Sequence, residues 1–127
     1  MGMYTEICIN VRLVEDCEVI DVLQYMIGAT ENEPEKLPDH DLFVSDRWRY
    51  MLQCSSYYFV PRSNFTMEHD DIDGYWNIMG CANFKNYDQE TVKFFDWIDR
   101  YIQAEQGQFI GYTRYEEDNE PVIYFKQ

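Results

Sequence analysis

The stretch Asp46–Val60, DRWRYMLQCSSYYFV, decides how this chain is read. It holds two arginines, a tryptophan and four further aromatics within fifteen residues. Tyr50, Leu52, Cys54, Ser56 and Tyr58 fall on one side; Met51, Gln53, Ser55, Tyr57 and Phe59 fall on the other. That alternation predicts a central β-strand, ended by Pro61 because proline lacks the amide that a strand ladder needs. Asp46–Arg49 is then a basic, aromatic turn leading into it.

The segments on either side give the strand its company. Residues 3–14 alternate, with Thr5, Ile7, Ile9, Val11 and Leu13 on one face, which predicts a half-buried strand. Asp16 is placed to cap a helix carrying Val19, Ile20, Leu23, Met26 and Ile27 at helical spacing, and Gly28 marks its stop. Residues 29–45 break the pattern with Pro34, Pro38 and a series of acids, and Leu42 and Phe43 predict that the second half packs down as a short helical turn. Arg62–Ile72 reads as a polar connection, and Asp73-Gly74 as a tight turn between strands.

Residues 75–85 form the next strand, with Trp76, Ile78, Gly80, Ala82 and Phe84 on one face. Asp88 is the expected cap of a second helix over 89–103, striped by Val92, Phe95, Ile98 and Ile102. Residues 108–115 and 122–125 close the chain as strands around the acidic turn Glu116–Pro121. The order β-α-β-β-α-β with a terminal hairpin strand predicts an α+β fold, a ferredoxin-like βαββαβ two-layer sandwich. Its antiparallel sheet carries both helices on one face. An α+β sandwich with another strand order is the alternative. Residues 3–126 form a single domain, and 1–2 are extra residues ahead of a start at Met3.

With 127 residues, 46% hydrophobic and 17% aromatic, the chain can bury a core despite a net charge of −14. That charge disfavours non-specific binding to nucleic acid or an anionic membrane, which carry the same sign. No membrane span or signal peptide is read, and Cys8, Cys17, Cys54 and Cys81 show no paired spacing. Free, buried thiols and a cytoplasmic location are therefore expected.

Catalytic signatures are lacking: there is no nucleophile elbow and no phosphate-binding glycine loop. His69-Asp70-Asp71-Ile72-Asp73-Gly74 resembles a calcium loop in part, but His69 and Gly80 occupy the positions that need oxygen ligands. Neither a metal nor a cofactor is expected. A metal-dependent or small-molecule-binding enzyme centred on His40, His69 and Asp70–Asp73 is the competing hypothesis. Mimicry of nucleic acid toward a basic host protein is a third.

The leading expectation is a non-enzymatic interaction module with an acidic, aromatic surface, pairing with a protein partner, basic or a second copy. Its candidate residues are Asp39, His40, Asp46, Arg47, Trp48, Arg49, Tyr57, Tyr75 and Tyr112. Arginine and tryptophan concentrate energy at interfaces. Tyr57, Phe59, Tyr75, Tyr112 and Tyr115 are expected to line the sheet face away from the helices. The bland account has Arg47 and Arg49 paired with Asp39, Asp41 or Asp46, and Trp48 filling the edge of the core.

Leu37-Pro38-Asp39-His40, Asp46-Arg47-Trp48-Arg49 and Ser56-Tyr57-Tyr58-Phe59 resemble a family of small acidic proteins of bacteria and their phages, over Met3–Phe125. The resemblance implies no activity and no site residues; a phage setting implies an accessory protein that binds a host factor.

Overall fold

A computed structural model describes residues 4–55 and 63–127. It is α+β: one antiparallel five-stranded sheet and two α-helices. The strands are β1 (Thr5–Leu13), β2 (Thr66–Asp70), β3 (Tyr75–Phe84), β4 (Phe109–Tyr115) and β5 (Val122–Phe125), in the spatial order β2-β3-β1-β4-β5. Every neighbouring pair is antiparallel.

The alternation of β1 fixes the layers. Ile7, Ile9, Val11 and Leu13 join one hydrophobic cluster with Val19, Ile20, Val22, Leu23 and Met26 of helix α1 (Cys17–Met26) and Phe94, Phe95, Trp97 and Ile98 of helix α2 (Glu90–Asp99). Both helices thus cover the same face of the sheet. The carboxylate of Asp16 accepts from the amides of Glu18 and Val19 at 3.0 and 3.3 Å and starts α1 as expected. The acidic segment before Asp46 does pack down, through a 3₁₀ turn at Asp41–Phe43 with Leu42 and Phe43 buried.

The central strand read at 50–60 is overturned for the described residues. Asp46–Tyr50 is a 3₁₀ helix, and residues 51–53 continue as a turn; residues 56–60 lie outside the described residues. Trp48, Met51 and Leu52 are all fully buried, and their spacing is that of one helical side. That period outweighs the polar alternation of Gln53 and Ser55. Among the described residues, the strand that follows α1 lies in the expected connection, at β2. It is an edge strand with Thr66 and Glu68 exposed, so its apolar signal is weak. The turn at Asp73-Gly74 links it to β3, where Gly74 takes a positive φ of 74°.

Two further expectations are corrected. Asp88 does not cap α2: the cap position is Gln89, in the left-handed region (φ 59°, ψ 34°), and makes no side-chain cap bond. The Asp88 amide instead donates to Glu90 Oε2 at 2.8 Å. Nor are all four cysteines free. Cys8 and Cys81 face each other across β1 and β3 and form a disulfide, leaving Cys17 and Cys54 as thiols.

Gly80 shows why β3 needs a residue without a side chain. Its φ is +148°, and a Cβ there would stand 2.5 Å from Phe65 Cα, so the incoming backbone crosses directly over it.

Candidate functional site

Strand register places Glu6, Cys8, Asn10 and Arg12 of β1 on the face away from the helices, opposite Asn83, Cys81, Met79 and Asn77 of β3. Tyr112 and Arg114 of β4 stand beside Cys8 and Glu6 on that face, and Ile123 of β5 stands opposite Tyr112. Met79, Phe109, Ile123 and Phe125 are 50%, 53%, 42% and 47% exposed. With Tyr112 and the disulfide they make an apolar and aromatic patch containing no acid. A shallow cavity of about 390 Å³ in it is bounded by Cys8, Asn10, Thr66, Met79, Cys81, Phe109 and Tyr112.

At the end of that patch the face turns polar and sealed. Glu6 is 2% exposed; it accepts from the Tyr112 hydroxyl at 3.1 Å, and Arg114 Nη2 lies 3.4 Å from its carboxylate. Burial, and then the Glu6 charge, push the Tyr112 phenol above its ordinary pKa, so it stays a hydrogen-bond donor. A charged group this deep is tolerated because a cation and a hydroxyl meet it.

The arginine–tryptophan turn is built differently. Trp48 is fully buried, packed edge-on to Phe43 at 5.1 Å and tilted against Tyr25 at 5.8 Å. Arg47 donates to the buried carboxylate of Glu90 and to the Lys85 carbonyl. Arg49 pairs with Glu33 at 2.5 Å and Asp46 at 3.4 Å and donates to the Tyr25 hydroxyl at 3.3 Å. These side chains tie the acidic loop, α1 and the start of α2 together. Asp39 and Asp46 are exposed beside them.

His40 caps the 3₁₀ turn through Nδ1, which accepts from the Leu42 amide at 3.1 Å, while Nε2 meets Asp96 at 2.8 Å. His69, on β2, meets Asp71 at 2.5 Å and Glu15 at 3.2 Å. The two histidines therefore engage different carboxylates on different elements. Among the described residues, no group of three or more His, Cys, Asp or Glu is disposed to hold a metal ion.

Of the residues singled out in the sequence, Tyr75 and Tyr112 reach the open face; Arg12 lies over the Tyr75 ring at 5.3 Å. His40, Asp46, Arg47, Trp48 and Arg49 cluster around the 3₁₀ turns instead. Tyr57 and Phe59 lie outside the described residues. Tyr115 pairs with Thr5 and so faces the helix side, not the open face. Sequence reading missed Glu6 and Glu90, both 2% exposed, since nothing local distinguishes them from surface acids. It also missed Met79, Phe109, Ile123 and Phe125, whose alternation along β3, β4 and β5 could have marked them.

No family model, curated protein or solved structure matches the chain. No helix among the described residues is long and apolar enough to cross a membrane.

Proposed function

We propose that this chain is a non-enzymatic interaction module that docks through the open face of its sheet, with a second copy of itself as the partner. The carrying observation is the acid-free patch of Met79, Phe109, Tyr112, Ile123 and Phe125 on a chain of net charge −14. Two such chains repel wherever their carboxylates approach within a screening length of about 8 Å. This patch lets them meet with few carboxylates face to face, exposed Glu68 of β2 standing at its border, and burying its apolar side chains supplies the attraction. Because a two-fold axis sets each patch against itself, the pairing closes at a dimer.

The ferredoxin-like assignment is part of this proposal. It is supported by β1 lying between β3 and β4 with antiparallel neighbours, by both helices on one face, and by β5 as an added edge strand. The bacterial or phage accessory role stays with the resemblance. The Cys8–Cys81 disulfide takes away free thiols as a support for a cytoplasmic location.

A basic protein partner is the second reading, favoured by the groove between α1 and the acidic loop. Glu18, Asp21, Glu33 and Glu35 line it, with Lys36 the sole base among its described lining residues. Sedimentation equilibrium of the full chain separates the two. The dimer reading expects twice the chain mass, reverting to a monomer in the Ile123→Glu/Phe125→Glu variant with its melting temperature kept. A wild-type chain that stays monomeric up to millimolar concentration, or a variant that still dimerises, overturns it.

A further inference from the structure

We propose a second site: a pocket at the start of α2, on the helix side of the sheet, that binds an uncharged, hydroxyl-rich small molecule such as a mono- or disaccharide. A cavity of about 460 Å³ opens there between the first turn of α2 and the ends of β1, β4 and β5. Its volume falls within the roughly 300–1,000 Å³ typical of small-molecule sites.

The floor carries the case. Thr5 of β1 and Thr113 of β4 are diagonal neighbours on the core face, since Thr5 pairs with Tyr115 and Ile7 with Thr113. They are 5% and 6% exposed, both line the cavity, and neither hydroxyl has a hydrogen-bonding partner among the described residues. Neither oxygen is among the sealed polar atoms that lack a partner, so both open onto the cavity rather than into the core. Two such hydroxyls side by side under one opening suit a ligand that brings hydroxyls of its own.

The rim selects the kind of ligand. Gln89 enters α2 in the left-handed conformation without capping it, and Asn86 Oδ1 accepts from the Thr91 amide at 3.3 Å in its place. The opening thus mixes amides and hydroxyls with the apolar Val92 and Val122, and no lysine or arginine lines it. Asp118 stands on the rim within the acidic turn after β4. That negative field repels an anion in spite of the helix N-terminus beside it. Burial first, and then the carboxylates of Glu117, Glu116 and Asp118, push the Tyr115 phenol above its ordinary pKa, which keeps it a neutral hydrogen-bonding wall.

The test is an amide ¹H–¹⁵N titration of the full chain with D-glucose, N-acetyl-D-glucosamine and maltose, alongside inorganic phosphate and acetate as anion probes. The expected result is saturable shifts from at least one sugar, confined to the amides around Thr5, Asn86, Gln89–Thr91 and Thr113–Tyr115. In the Thr5→Val/Thr113→Val variant the same sugar should bind at least about tenfold more weakly, with the melting temperature kept or raised. No saturable shift from any sugar overturns the proposal, as do shifts at these amides from the anions in place of the sugars. A lower melting temperature in the valine variant also overturns it, since the hydroxyls would then serve the fold.

Discussion

Cys8 of β1 stands directly opposite Cys81 of β3, with their Cα atoms 4.2 Å apart and their sulfurs bonded. The bond joins positions 73 residues apart and sits on the open face, within the patch proposed for docking. It therefore ties α1, the acidic loop and β2 into a closed loop of chain. Closing a loop of that length removes unfolded-state entropy worth about 4 kcal/mol. Thiol titration of the denatured, unreduced chain is expected to find only Cys17 and Cys54. Reduction, or the Cys8→Ala/Cys81→Ala variant, should lower the denaturant midpoint by an amount of that order.

Arg47 and Glu90 form the pair on which the start of α2 rests. The arginine is one-third exposed and the carboxylate 2% exposed, so removing the arginine strands a buried charge. Arg47→Met should destabilise by about 3 kcal/mol. The Arg47→Met/Glu90→Leu double variant should recover part of that loss, because it removes the stranded charge together with its partner. A double-mutant cycle by urea unfolding measures both.

Gly80 admits no side chain. Gly80→Ala places a Cβ against the Phe65 backbone at a φ that L-residues avoid, so a loss of about 3 kcal/mol is expected. Gln89 is the converse case. Gln89→Gly removes the penalty of its left-handed φ and should raise stability by about 0.5–1 kcal/mol in the same assay.

The β2–β3 end of the sheet should respond to pH in two windows. The hydrogen bond to Asp71, helped by the charge of Glu15, raises the His69 pKa above its ordinary 6.5 against the opposing effect of burial. Its stabilising contribution is complete below 6.5 and is lost as pH rises through the raised value. The Asp70 carboxylate accepts from the Asp73 and Ile72 amides, which holds its pKa below the ordinary 3.8. That contribution is present above 3.8 and is lost as pH falls through the lowered value. NMR titration of the His69 ring should show the raised pKa, falling toward 6.5 in Asp71→Asn.

Much of the fold is legible in residues 4–55 and 63–127 taken one segment at a time. The period of two in β1 and β3, the Asp16 cap, the Asp73-Gly74 turn and the closing hairpin are encoded by neighbours along the chain. Local sterics and alternation are enough to set them. The candidate face is legible only in part: Tyr75 and Tyr112 declare themselves as aromatics in strands, while Met79 and Ile123 join them only once the register is known.

The stretch Asp46–Val60 marks the boundary between the two kinds of information. Its alternation of apolar and polar residues was compatible with a strand, but Trp48, Met51 and Leu52 each gain a place in the core by coiling. That choice depends on Tyr25 and Phe43, which come from elsewhere in the chain. Only the tertiary structure decides it, as it decides that Cys8 meets Cys81 and that Glu6 and Glu90 are buried with partners. Periodicity determines which residues share a side; which side is buried, and against what, is set by contacts between residues far apart in sequence.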